Sequence, residues 1–106
     1  MNRSEVLETA KTIISKDRNS QYGEPEDNFQ KISELWTAYL GEYITSIDVA
    51  CMMCLFKIAR IKANDEHEDS YVDVAGYIAC AAEIAERHKN DNFSSSRSGN
   101  GNENRS

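Results

Sequence analysis

The sequence predicts an all-α fold: four helices, the third and fourth forming a central antiparallel hairpin, followed by a disordered C-terminal tail. Two observations predict the helices. Apolar residues recur at helical spacing as far as about Lys89, and each helical stretch opens on residues with helix-start chemistry. The tail is predicted by composition. NDNFSSSRSGNGNENRS holds one large apolar residue, Phe93, and such a segment buries too little apolar surface to offset its ordering entropy. In a chain of 106 residues this gives one all-helical domain over 1–89 and a tail over 90–106.

Helix one is expected from Arg3 to Lys16, with Asn2 as N-cap and Glu5 as its capping-box partner. Leu7, Ala10 and Ile14 mark its apolar face, flanked by Val6 and Ile13. KDRNSQYGEPEDNF follows as a loop. Pro25 then suits the first position of helix two, because the N–H it lacks would be unpaired there, and Glu26 and Asp27 suit the positive end of the dipole. Phe29, Ile32, Trp36 and Tyr39 form an aromatic stripe, read as core, and the helix stops before Gly41.

Thr45 and Asp48 make a second capping box and open helix three, from Ser46 to about Lys62. The run from Val49 to Phe56, continued by Ile58, Ala59 and Ile61, describes a helix buried on most sides, interrupted by Lys57 and Arg60. Asp65 and Glu68 make a third box. They open helix four, which is apolar around most of its middle, is interrupted by Asp73, and ends in Arg87, His88 and Lys89. Two such helices expose more apolar surface than the first two can cover. A homodimer is therefore expected, with Ala75, Gly76, Ala79 and Ala82 as the small-residue contact face.

Composition narrows the function classes. A net charge of -6 argues against a nucleic-acid binder, which needs a concentrated basic patch. No apolar run reaches the roughly eighteen residues of a membrane span, and the N-terminus has no signal-peptide core, so a cytoplasmic protein that avoids membranes is expected. Cys51, Cys54 and Cys80 read as small core residues of a reducing compartment: they lie in apolar helical stretches with no fourth ligand beside them. His67, in the first turn of helix four, and His88, at its end, are no better placed as ligands.

The informative feature is the set of charges inside the hairpin. Facing residues of an antiparallel hairpin have numbers of constant sum, here about 129 from a turn near Asn64 and Asp65. Arg60 then faces Asp69, and Lys57 faces Asp73, in one cluster of four charges. The cluster admits two uses. The charges can stitch the hairpin as ion pairs, although partial desolvation makes that a poor stabiliser. Alternatively, Asp69 and Asp73, one helical turn apart, can share Mg²⁺ whose shell is completed by water and substrate phosphates. Lys57 or Arg60 would then orient a phosphate or stabilise charge as an anhydride bond breaks. Glu66 adds an E-x-x-D with Asp69, and Asp48 or Glu34 could supply a third carboxylate through tertiary packing. In the loop before helix two, Arg18, Tyr22 and Gly23 precede Asn28; this group can close over a nucleotide or simply make a turn.

The segments YGEPEDNF, ISELWTAYLG, DVACMMCLFKIARI and HEDSYVDVAGYIA, in this order, resemble a family of small phage-borne and prophage-borne proteins of unknown function, over roughly Leu7 to Glu86. The K-x-x-R followed by D-x-x-x-D-x-A-x-Y is similar to the phage nucleotide-modification-associated domains and, more remotely, to the MazG-type all-α nucleotide pyrophosphohydrolases. The resemblance implies a nucleotide-related function, with Tyr22, Gly23, Asn28, Lys57, Arg60, Asp69, Asp73 and Tyr77 as its residues. Helix two lacks the E-E-x-x-E of the pyrophosphohydrolases, which puts metal-dependent hydrolysis in question and leaves a non-catalytic protein, sequestering a nucleotide or docking on a host protein, as the alternative.

Overall fold

The computed structural model describes residues 1–17 and 25–95, with side chains over 1–15 and 27–90. Among the described residues there are four α-helices, one π-helical turn and no strand. The helices are α1 (Arg3–Thr12), α2 (Pro25–Leu40), α3 (Ser46–Ala63) and α4 (Glu68–Ser95), and the π-turn, Ile13–Asp17, continues α1.

The Asn2 cap forms as expected: its Oδ1 accepts the Glu5 N–H at 2.8 Å, and Glu5 Oε1 accepts the Asn2 N–H at 2.8 Å. The straight helix expected as far as Lys16 instead widens at Ile13 into the π-turn. Ile14 packs against the core from this turn while Ile13 stays exposed. Leu7 does not join the apolar face. It is 64% exposed, because α1 meets α4 through Ala10 and the turn beyond it.

In α2, Phe29 is buried and Ile32 and Trp36 pack beside it, but Tyr39 is 88% exposed. Tyr39 lies within about 20° of Ile32 around the helix axis, so it is exposed by its place in the last turn, beside the exposed Leu40, beyond what the neighbouring helices cover. Gly41 ends the helix at φ 74°, donating its N–H to the Thr37 carbonyl at 2.9 Å. The Thr37 hydroxyl accepts the Ile44 N–H at 2.8 Å and so fixes the link into α3.

The Thr45–Asp48 capping box also forms, with Thr45 Oγ1 accepting the Asp48 N–H and Asp48 Oδ2 accepting the Thr45 N–H. Helix α3 is not buried on most sides. Val49, Ala50 and Cys54 are enclosed, whereas Cys51, Met52, Leu55, Phe56 and Ile58 are exposed. The described helices are too few to enclose α3, so one stripe is covered and the rest faces out.

The turn into α4 is built differently from the expected box. Asn64 Oδ1 accepts the Glu66 N–H at 3.0 Å, and Asp65 contributes its carbonyl, which accepts the Tyr71 hydroxyl at 3.0 Å. His67 precedes the helix rather than occupying its first turn. Its Nδ1 lies 2.7 Å from the hydroxyl of Ser70, which is fully buried. At the other end α4 runs on to Ser95, six residues past Lys89. Helix propagation adds a hydrogen bond for each residue fixed, and no glycine or proline interrupts the sequence there. The rest of the expected tail, 96–106, lies outside the described residues.

The core lies where α2, α3 and α4 meet, around Phe29, Val49, Ala50, Cys80, Ala81 and Ile84. No helix among the described residues is long and apolar enough to cross a membrane.

Candidate functional site: a cleft beside a half-buried ion pair

The hairpin register places Lys57 against Asp73, as its geometry requires. Lys57 Nζ lies 2.8 Å from Asp73 Oδ2, with 18% and 33% of the two side chains exposed. A second contact fixes the same register: Cys54 Sγ donates to the Val74 carbonyl at 3.7 Å. Burial, with Cys51 close by as a lesser cause, pushes the Cys54 thiol pKa above its ordinary value. Cys54 and Cys80 are core residues as expected, but Cys51 faces outward.

The four charges do not form one cluster. No ion pair joins Arg60 to Asp69; the Arg60 guanidinium lies 5.0 Å from the centre of the Phe56 ring, on the exposed side of α3. Three residues rotate a helix by about 300°, which leaves Arg60 roughly 60° away from the direction of Lys57 and off the hairpin seam. Asp69 is exposed at the first turn of α4, one helical turn from Asp73.

Asp73 lines a shallow cleft of about 50 Å³, open on one side and smaller than a typical ligand pocket. One wall is Ala10 with Ile13 and Ile14 of the π-turn. Opposite stand Val72, Asp73, Gly76, Tyr77 and Cys80 of α4, and Phe29 of α2 closes the end. The Phe29 and Tyr77 rings are tilted at 45° with centroids 6.2 Å apart. Gly76 makes the close approach possible, since a Cβ there would stand 3.2 Å from Ile14 Cγ2. This glycine therefore serves contact within the chain and is buried, so it is not part of a small-residue face open to a second copy.

Of the residues singled out from sequence, Asp73 and Tyr77 line the cleft and Lys57 pairs at its edge. Asn28 is half-buried next to Phe29 on α2. Arg18, Tyr22 and Gly23 lie outside the described residues. The remaining carboxylates are engaged elsewhere: Asp48 caps α3, Glu34 accepts from the Gln30 amide at 3.2 Å, and Glu66 sits exposed in the turn. Among the described residues no group of three His, Cys, Asp or Glu side chains could hold a metal ion. Phe29, Ile14 and Gly76 were not readable as site residues. Gly76, three positions after the half-buried Asp73, was the one available signal, because a glycine inside a helix costs about 1 kcal/mol and so marks a close approach.

Fold and site define a small all-helical protein with an apolar, aromatic-lined cleft and a single ion pair at its rim. Residues 5–85 match the model of a domain of unknown function, DUF6378, and the chain belongs to that family. It is 46% identical over 81 residues to the Gene 55 protein of Mycobacterium phage D29, covering 76% of this chain and 54% of that protein. It is 47% identical over 73 residues to the Gene 55 protein of Mycobacterium phage L5, covering 68% of this chain and 47% of that protein. The chain thus spans about half the length of these curated relatives, and the family is one of phage proteins of unknown function. No solved structure matches.

Proposed function

We propose that this protein binds a nucleotide or nucleoside, with the edge of its planar ring entering the small cleft between the π-turn and α4. The observation that carries this reading is the Lys57–Asp73 pair, half-buried at the rim of an apolar cleft that contains two aromatic rings. Apolar walls reward burial of a flat ring, and a few aimed polar groups fix its orientation. Asp73 would accept an N–H from the ring edge, and Tyr77, backed by the buried Phe29, would pack against the ring. The likeness to nucleotide-modification-associated domains and MazG-type enzymes supports the ligand class. The cleft is small, so a phosphate chain would lie at its mouth, where Lys57 is the nearest cation to Asp73 among the described ion pairs.

A second reading, Mg²⁺-dependent nucleoside triphosphate pyrophosphohydrolysis, is favoured by one observation: Asp69 and Asp73 lie one turn apart on α4. Asp73 is tied to Lys57, and the described residues bring in no third carboxylate. A Mg²⁺ ion there would take most of its shell from water and nucleotide phosphates. Lys57 and Arg60 would be its charge-stabilising residues, although only Lys57 adjoins the carboxylates.

A thermal-shift panel of nucleosides and nucleotides, with and without Mg²⁺, separates the two. Binding alone raises the melting temperature through linkage without metal, and Asp73→Asn removes the rise. Mg²⁺-dependent pyrophosphate release, lost in Asp73→Asn, would establish the second reading. A flat response across the panel would overturn both and favour a host protein as partner.

A further inference from the structure

The outer side of the hairpin carries apolar residues that the described residues leave uncovered. On α3 they are Cys51, Met52, Leu55 and Ile58, with Leu55 64% exposed. On α4, Tyr71 and Ile78 are 39% and 50% exposed, and Ala82 is exposed beside them. The register fixed by Lys57–Asp73 and Cys54–Val74 sets Ile58 level with Tyr71 and Cys51 level with Ile78, so the two helices present one continuous apolar face.

This face has a symmetry that selects its occupant. Leu55 lies midway between Asp48 and Lys62, and all three are exposed at spacings of seven residues, hence on one side of α3. The apolar positions are balanced about the same centre: Met52 and Ile58 lie three residues to either side, Cys51 and Ala59 four. Turned end for end, the stripe meets itself apolar against apolar, with Asp48 of each copy level with Lys62 of the other. That self-complementarity is what an isologous two-fold interface requires. The same operation sets Tyr71 of α4 level with Ile78 of its counterpart.

We infer that the outer face of α3 and α4 is the contact surface for a second copy of this chain, packed antiparallel about a two-fold axis near Leu55. The four helices then form one bundle, with the cleft of each copy on the opposite side of its hairpin and still open. Recognition comes from the apolar centre, and the two Asp48–Lys62 pairs, made through the Asp48 Oδ1 that the Thr45 N–H does not use, set direction and register. This inference is independent of what the cleft binds.

Analytical ultracentrifugation of the full chain under reducing conditions reads it. The wild type should sediment with twice the chain mass at micromolar concentration. Leu55→Glu, which buries two carboxylates beside the axis, should raise the dissociation constant by roughly 100-fold or more. Lys62→Glu, which sets like charges against Asp48, should raise it by about 10-fold. Leu55 is exposed in one chain, so circular dichroism of Leu55→Glu should remain helical. In a Cys51→Ser background, Leu55→Cys should cross-link to a covalent dimer through a short bifunctional thiol reagent, whereas Glu34→Cys on α2 should not. A wild type that remains monomeric at 100 µM, or equal cross-linking at both positions, would overturn the proposal.

Discussion

The two sides of the α3–α4 hairpin are both rich in apolar residues, yet they meet different surroundings. On the inner side, Val49, Ala50, Cys80 and Ile84 are enclosed by α2 and by each other, and the π-turn closes toward Gly76. On the outer side, Leu55, Phe56, Ile58 and Ile78 face outward. The charges divide in the same way. Lys57 and Asp73 pair over the seam, where partial burial gives their attraction weight, while Arg60, which shares the Phe56 ring with Lys57, and Asp69 are both exposed. Apolarity along a helix shows that a surface must be covered and leaves open whether this chain or another molecule covers it.

Substitutions can break that contrast. Ile84→Ala, at 1% exposure, should cost about 2–5 kcal/mol in chemical denaturation, whereas Leu55→Ala in a dilute, monomeric sample should stay within about 0.5 kcal/mol. Equal losses would mean that the outer face is packed within the chain. Next in size is Lys57→Met, which leaves the Asp73 carboxylate without its partner at the rim of an apolar cleft. Because the pair is only partly buried, the expected loss is about 1–2 kcal/mol, largely recovered when Asp73→Asn is added. Failure of the second change to rescue would show that Lys57 acts through its stem packing instead.

Smaller still is Gly76→Ala. Helix propensity gains about 1 kcal/mol, but Ile14 must give way by a few tenths of an ångström, so stability should change by less than about 1 kcal/mol while ligand affinity falls as the cleft narrows. The least change is read by thiol labelling. Cys51 should react readily in dilute solution and more slowly as protein concentration rises, whereas Cys54 and Cys80 should react only on opening. Because the folded state raises the Cys54 pKa, the stability this thiol contributes is complete below its ordinary pKa and is lost as pH climbs through the raised value. Cys54→Ala should flatten that alkaline loss in denaturation curves.

Much of the backbone was legible in the residues. Asn2 with Glu5, Thr45 with Asp48, Pro25 and Gly41 mark helix ends through local hydrogen bonding and steric limits, and these act within a few residues. The Lys57–Asp73 contact was also readable, because a short turn fixes the hairpin register. The partnership of Arg60 with Asp69 was not, since register sets the level along two helices but not the rotation of each side chain about its axis. Nor was the cleft. It depends on the π-turn, which shifts the face of Ile14, and on the distant approach of Gly76, and neither leaves a periodic trace. Tyr39 and Leu7 fit their helical stripes by spacing but lie beyond what the neighbouring helices cover.

The central claim, that the cleft beside Asp73 is where this protein takes its ligand, is tested most directly by titrating isotope-labelled protein with a panel of nucleosides and nucleotides and following backbone amide resonances. The account predicts saturable shifts centred on Phe29, Val72, Asp73, Gly76 and Tyr77, abolished by Asp73→Asn. Shifts confined to the Leu55 face, or none at millimolar ligand, would contradict it.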